Sequence, residues 1–284
     1  MHNNLAALSI ILHEKCLSLL PNSNFLSINQ ALLCGESLRE QSLKQLFIQS
    51  GLYHLIVVSG SHLVFFTFIL NYFFKYLIPD KYKTIRSISI FAFYLVYTLA
   101  CQLQPPLVRA CLSSFIFFFS EKMKLNYSDL TILFLSTFAS LLFAPNWITS
   151  LSLLLSATAS LTLILTRSKN TVPFYKQVLI YFLIAPLLFG WGNLHPITIP
   201  LNVFLAPAVS AFLLPITILT IPFRFLVPVT DFIMSIFLKI LSFICSSSHP
   251  TNNSSQIPIL YLWIYLLLLI FIGHIRQLIH KRDP

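Results

Sequence analysis

The sequence predicts an all-α, polytopic helical membrane protein with about eight or nine transmembrane helices, some of them broken by proline. Three observations predict this class. Hydrophobic residues make up 57% of the 284-residue chain and charged residues only 9%, whereas a soluble domain carries about 25% charged residues. From residue 51 onward, apolar runs follow one another with short polar turns between them. Lys and Arg gather in alternate turns, as the positive-inside rule requires of a chain that crosses repeatedly. The 27 Phe residues suit lipid contact. The expected organisation is an extracytoplasmic or interfacial amphipathic segment over 1–50 and a polytopic membrane domain over 51–284.

The N-terminal segment is the least apolar. Leu5 to Leu20 is interrupted by His13, Glu14 and Lys15, and no basic region precedes it, so no cleavable signal peptide is read there. Ser27 to Gln49 mixes Glu36, Arg39, Glu40 and Lys44 with Leu38, Leu43, Leu46 and Phe47. This pattern fits a helix lying on the membrane surface, or else a solvated linker. Cys16, Cys34, Cys101, Cys111 and Cys245 show no CxxC pairing. They are expected to be buried free thiols rather than a metal or disulfide framework.

The first apolar run, Gly51 to Ile78, opens with Gly51-Leu-Tyr-His-Leu-Ile-Val-Val-Ser-Gly-Ser-His62. Polar side chains in a hydrocarbon-facing helix are costly and usually turn toward protein or a cavity. On a continuous helix His54, Ser61 and His62 fall within an arc of about 100°. Ser59 flanks that arc, and Gly60 lies opposite, free for a neighbouring helix to approach.

Further runs are expected at 85–103, 105–120, 129–143, 147–166, 175–191, 197–221, 228–245 and 257–275. The basic turns hold Lys75, Lys81, Lys83 and Arg86; Lys122 and Lys124; Arg167, Lys169 and Lys176; Arg224; and Arg276, Lys281 and Arg282. The turns between them, near 102–104, 145–146, 190–196 and 246–256, hold no Lys or Arg. The basic turns are therefore assigned to the cytoplasm, with residues 1–50 outside. These loops explain most of the +10 net charge, and an affinity for phosphate is the alternative. Arg109 and Lys239 remain inside apolar runs. Arg109 either serves near the outer mouth, snorkels to the interface, or pairs with Asp231. Lys239, near the end of its run, is read as snorkelling. Ser152, Ser156, Ala159 and Ser160 share one helical face and suit a close packing seam. Pro186, Pro196, Pro200, Pro207, Pro215, Pro222 and Pro228 predict kinked or broken helices, either as ordinary packing or lining a wet path.

Ala31-Leu-Leu-Cys-Gly35 and Phe47-Ile-Gln-Ser-Gly-Leu-Tyr-His-Leu-Ile-Val-Val-Ser-Gly-Ser-His62 resemble the membrane domain of the ComEC competence family. That family reads "alllG … f..aGl.HlLavSGlH" there, and Ser61 stands where it usually has Leu. Pro105-Pro-Leu-Val-Arg109-Ala resembles its "ps..RA" segment, and Asn202 with Pro207 its "N.l..P" segment. Ser156 matches the "gFqLSf.a" segment, with Leu154 in place of Gln. The resemblance covers about residues 31–225 and implies an inner-membrane channel for single-stranded transforming DNA. The OB-fold and metallo-β-lactamase-like domains that the family often adds have no room here and are not expected in this sequence.

Several chemistries have no motif here. There is no HExxH, no Walker A loop and no acidic pair within one run, so neither a nuclease nor an ATPase is expected, and no cofactor. The resemblance implies as partners single-stranded DNA, the lipid bilayer, an extracytoplasmic DNA receptor, a cytoplasmic DNA translocase or helicase as motor, and a separate nuclease. A monomer and a dimer are equally compatible. The expected DNA path comprises His54, Ser59, Gly60, Ser61, His62, Arg109 and Asn202. Two other classes stand beside this reading. One is a small-ion or metabolite transporter with His54, His62 and Asp231 as a proton relay. The other is an intramembrane serine hydrolase using Ser59 with His54 or His62, which needs the Ser oxygen within about 3 Å of the imidazole.

Overall fold

Helices begin and end where the sequence punctuates its apolar runs. A computed structural model describes residues 2–56, 58, 60–77, 79, 82–166, 173–188, 204–205, 209–245 and 258–280, and all regular elements among them are helical. The long α1 (His2–Leu19) and two short helices, α2 (Leu26–Cys34) and α3 (Gln41–Gln49), precede the first long apolar run. That run is divided between α4 (Tyr53–Ile56) and α5 (Gly60–Leu77). Then come α6 (Lys83–Ala100), α7 (Pro105–Met123), α8 (Asp129–Phe143), α9 (Leu151–Leu165) and α10 (Pro173–Leu188). A π-helical turn, Val209–Leu213, leads into α11 (Leu214–Leu219), followed by α12 (Val227–Cys245) and α13 (Ile259–His280).

The caps explain several boundaries. Ser128 Oγ accepts the Thr131 N–H at 3.1 Å and starts α8 with Asp129 in its first turn. Ser150 does the same for α9 through Leu153 N–H. Such caps satisfy amides that have no partner inside the helix. Pro105 and Pro106 open α7, where a missing N–H costs nothing. Pro186, by contrast, lies inside α10.

The helical run Arg224–Cys245 is long and apolar enough, by length and composition, to cross a bilayer. Thr84–Ala100, Asp129–Phe143, Leu151–Leu165, Val178–Leu187 and Ile259–Ile275 are shorter apolar stretches. Large apolar side chains stand on the surface throughout, among them Phe68 (73% exposed), Phe225 (75%) and Phe243 (80%). Apolar surface on this scale marks contact with lipid or partner protein.

The chain forms two compact units, Met1–Leu107 with Gly192–Asn252, and Val108–Trp191 with Asn253–Pro284. In the first, α2, α3, α4, α11 and α12 meet in a core built on Ile28, Leu32, Phe47, Leu52, Ile56, Leu214 and Met234. The Ser27–Gln49 segment thus supplies part of this core. Here α1 runs along α6, and Cys16 is disulfide-bonded to Cys34. This corrects the expectation of five free thiols: Cys101, Cys111 and Cys245 are buried thiols, but Cys16 and Cys34 are joined. In the second unit Leu130, Leu133, Leu154, Ala157, Leu161, Leu187, Leu262 and Leu266 form the core of α8, α9, α10 and α13.

Candidate functional site

Gly51 follows α3 with φ +70°, a left-handed conformation that glycine adopts without steric cost. Helix resumes as α4, stops before Val58, and restarts at Gly60. The continuous helix assumed for the polar arc is therefore absent, and His54 and His62 do not share one helical face. The local reason is composition. Val57 and Val58 are β-branched, and Ser59 and Gly60 favour helix ends over helix interiors. Leu52, Ile56 and Val58 have no exposed surface, so the break is buried in the first unit. His62 lies in the first turn of α5 and is 4% exposed. Gly60 starts that helix and is half-buried. Ser59 and Asn202 lie outside the described residues, as do the side chains of His54 and Ser61.

Arg109, in the second unit, is 5% exposed near the start of α7. Its Nε donates to Ser156 Oγ at 3.1 Å and one terminal nitrogen donates to Ser160 Oγ at 2.7 Å. The two serines stand one turn apart on α9, so the planar guanidinium spans that turn. Ser160 in turn donates to the Ser156 carbonyl at 2.9 Å. Among the described residues its partners are neutral hydroxyls, and burying a charge on neutral partners is costly. Snorkelling is ruled out by this burial. Asp231, in the first unit, accepts the Asn24 N–H at 3.0 Å. The small-residue seam is also corrected. The buried face of α9 is Leu153, Leu154, Ala157, Thr158 and Leu161, and Ser156 and Ser160 are half-buried and receive Arg109. Lys239 is exposed.

Sequence reading missed the polar knot of the first unit. His13 Nδ1 donates to the Ala100 carbonyl at 2.8 Å, and its Nε2 lies 2.9 Å from Glu36 Oε2. Ser9 Oγ donates to Leu99 O at 2.8 Å, Tyr97 OH to Leu33 O at 3.0 Å, and Gln104 Nε2 to Gly35 O at 2.6 Å. Gly35 has φ +73°, and a Cβ there would sit 2.9 Å from Gln104 Nε2. The signal available was His13 breaking an apolar run, but its partners are 23 and 87 residues away.

A family model described as Competence protein matches residues 32–282. The chain belongs to the competence protein family. Proteins of this type are membrane-associated. A curated relative, an uncharacterized protein of Aquifex aeolicus (strain VF5), is 28% identical over 210 residues, covering 72% of this chain and 49% of its own length. The chain thus spans about half of that relative. No solved structure matches. In this competence-family chain the match takes in both the Gly51–His62 break and Arg109. Among the described residues no three His, Cys, Asp or Glu side chains gather as a metal site.

Proposed function

We propose that this chain is an inner-membrane channel, crossing the bacterial membrane about eight or nine times, that passes single-stranded transforming DNA inward. The observation that carries this reading is the family match over residues 32–282. The buried helix break and the buried Arg109, held on Ser156 and Ser160, support it. Unwound backbone is tolerated at membrane depth only where protein or a water-filled cavity satisfies its polar groups. A strand in transit needs several weak contacts rather than one tight one. His54, Ser59, Gly60, Ser61, His62 and Asn202 supply neutral or protonatable groups, and Arg109 attracts phosphate, an interaction that weakens with salt. An extracytoplasmic receptor delivers the strand, a cytoplasmic translocase or helicase pulls it, and a separate nuclease removes the other strand.

The test is deletion of the gene followed by measurement of labelled DNA reaching the cytoplasm and of transformation. Loss of both is expected, and unchanged import overturns the reading. Cysteine labelling checks the topology. Positions after 80, 123 and 168 are expected to face the cytoplasm, and positions near 146, 194 and 252 the outside. Two or more reversals refute the nine-span arrangement.

A further inference from the structure

Both ring nitrogens of His13 face acceptors. Nδ1 meets the Ala100 carbonyl at 2.8 Å, and Nε2 meets Glu36 Oε2 at 2.9 Å. A neutral imidazole carries one N–H and can serve only one of these contacts, leaving lone pairs face to face at the other. An imidazolium serves both. The setting suits a cation. Ala100 is the last residue of α6, whose C-terminal end carries partial negative charge, and a carboxylate stands on the other side. The His13 side chain is 5% exposed and that of Glu36 22%, so the carboxylate gives the buried proton its contact with water.

The charged and titratable groups around the pair are few. On α1, Glu14 and Lys15 are exposed and Cys16 is held in the disulfide. α1 packs on α6 and α2. From α6, Tyr97 and Cys101 both donate to the Leu33 carbonyl. α2 ends at the disulfide-bonded Cys34, and beyond Glu36 the side chains of Arg39 and Glu40 are exposed. Among the described residues the ion-pair partner of His13 is Glu36. The pair therefore ties three segments of the first unit together: α1, the residues after α2, and the end of α6. Cys16 follows His13 by one helical turn, so the disulfide lies beside the pair.

We propose that the His13–Glu36 pair is a proton-dependent clasp, which fastens α1 to the end of α6 while the imidazole is charged and slackens when a rise in pH removes the proton. The unfolded chain has no such arrangement, so this contribution is present on the acid side and is lost as the pH rises. The disulfide keeps α1 tied to α2, so loss of the proton loosens α1 without releasing it. In the topology proposed above the turn after α6 faces outward, and the pH that is read is then that outside the cell. The clasp itself does not rest on DNA transport.

The test uses the purified full-length protein in detergent, with the rate at which a phosphine reductant opens Cys16–Cys34 as the local readout. Rates are taken from about pH 5.5 to about pH 9.5, which brackets the range in which histidine changes charge. Glu36→Gln is measured beside the unsubstituted chain. A glutamine amide accepts from a charged imidazole and donates to a neutral one, so this variant keeps a bond in either state. The ratio of the unsubstituted rate to the variant's is expected to rise about tenfold across the range, within the limit of about tenfold per pH unit that one proton sets. A ratio that stays flat or falls overturns the proposal. Ring-nitrogen NMR of the histidine-labelled protein needs no Glu36 variant, and His13→Gln assigns the signals. His13 is expected to pass from two protonated nitrogens to one over the same pH interval in which the disulfide begins to open faster. A ring that does not titrate, or that titrates apart from the opening, overturns the proposal even where Glu36→Gln fails to fold.

Discussion

The two units differ in where their described polar side chains make their long-range hydrogen bonds. In the first, Ser9, His13, Tyr97 and Gln104 reach backbone carbonyls 64 to 90 residues away. In the second, Ser136, Thr137, Ser140, Thr162 and Thr166 donate to carbonyls three or four residues back on their own helix. A hydroxyl that bonds its own helix is satisfied before the helix meets anything else. A side chain that crosses to another segment is satisfied only in one tertiary arrangement. Both kinds of bond occur in both units, since Thr67, Thr217 and Thr230 of the first also bond their own helices, but the first gathers its long-range bonds into one knot around α1, α2 and α6. In the second unit Arg109 bridges α7 to α9 through Ser156 and Ser160, and Trp263 and Tyr265 on α13 reach the Ile148 and Leu183 carbonyls.

That contrast can be broken by substitution. The largest effect is expected from Cys16→Ser with Cys34→Ser. Closing a loop of this length with a disulfide contributes about 3 kcal/mol by chain entropy. Thermal unfolding in detergent should show a drop of that order, reproduced by reductant in the unsubstituted chain. A melting temperature indifferent to reductant removes the disulfide from the account. Next is Arg109→Ala. Removing the cation proposed to attract phosphate is expected to lower DNA import about tenfold. The protein level in the membrane should hold for both this variant and His62→Ala. Loss of protein in proportion to import would make these residues structural.

His13→Ala comes third. It strands a carbonyl and a carboxylate, at about 1–3 kcal/mol, again read by thermal unfolding. Smallest is Thr162→Ala or Ser140→Ala, each expected within about 0.5 kcal/mol because the freed carbonyl keeps its helical partner. A loss of several kcal/mol at Ser140 would erase the distinction between the two kinds of bond.

Much of the helical layout was legible from the sequence, since apolar runs bounded by proline and polar turns leave few choices. The run at 129–143 coincides with α8, and 228–245 falls within one residue of α12. The break after Ile56 was not legible, because a hydrophobic periodicity continues through it while Val57 to Gly60 withdraw helix propensity only locally. Cys16 and Cys34 are 18 residues apart with no spacing motif, and only the packing of α1 with α2 brings them together. Arg109 was found as an outlier, since a cation in an apolar run stands out. Ser156 and Ser160 were read as packing residues, because serine serves both purposes and the choice depends on what faces it.

The turn between α6 and α7 carries a practical consequence. Gln102 and Leu103 both adopt positive φ, at 55° and 52°, without being glycine. Leu103 N–H bonds Thr98 O at 2.9 Å, and Gln104 is fixed to Gly35. Short uncharged turns are the places an experimenter chooses for an epitope tag or a fluorophore. Here an inserted residue displaces Gln104 from Gly35 and releases two left-handed residues that have no reason to stay so. A tag at Gln102–Gln104 therefore reports on a damaged molecule.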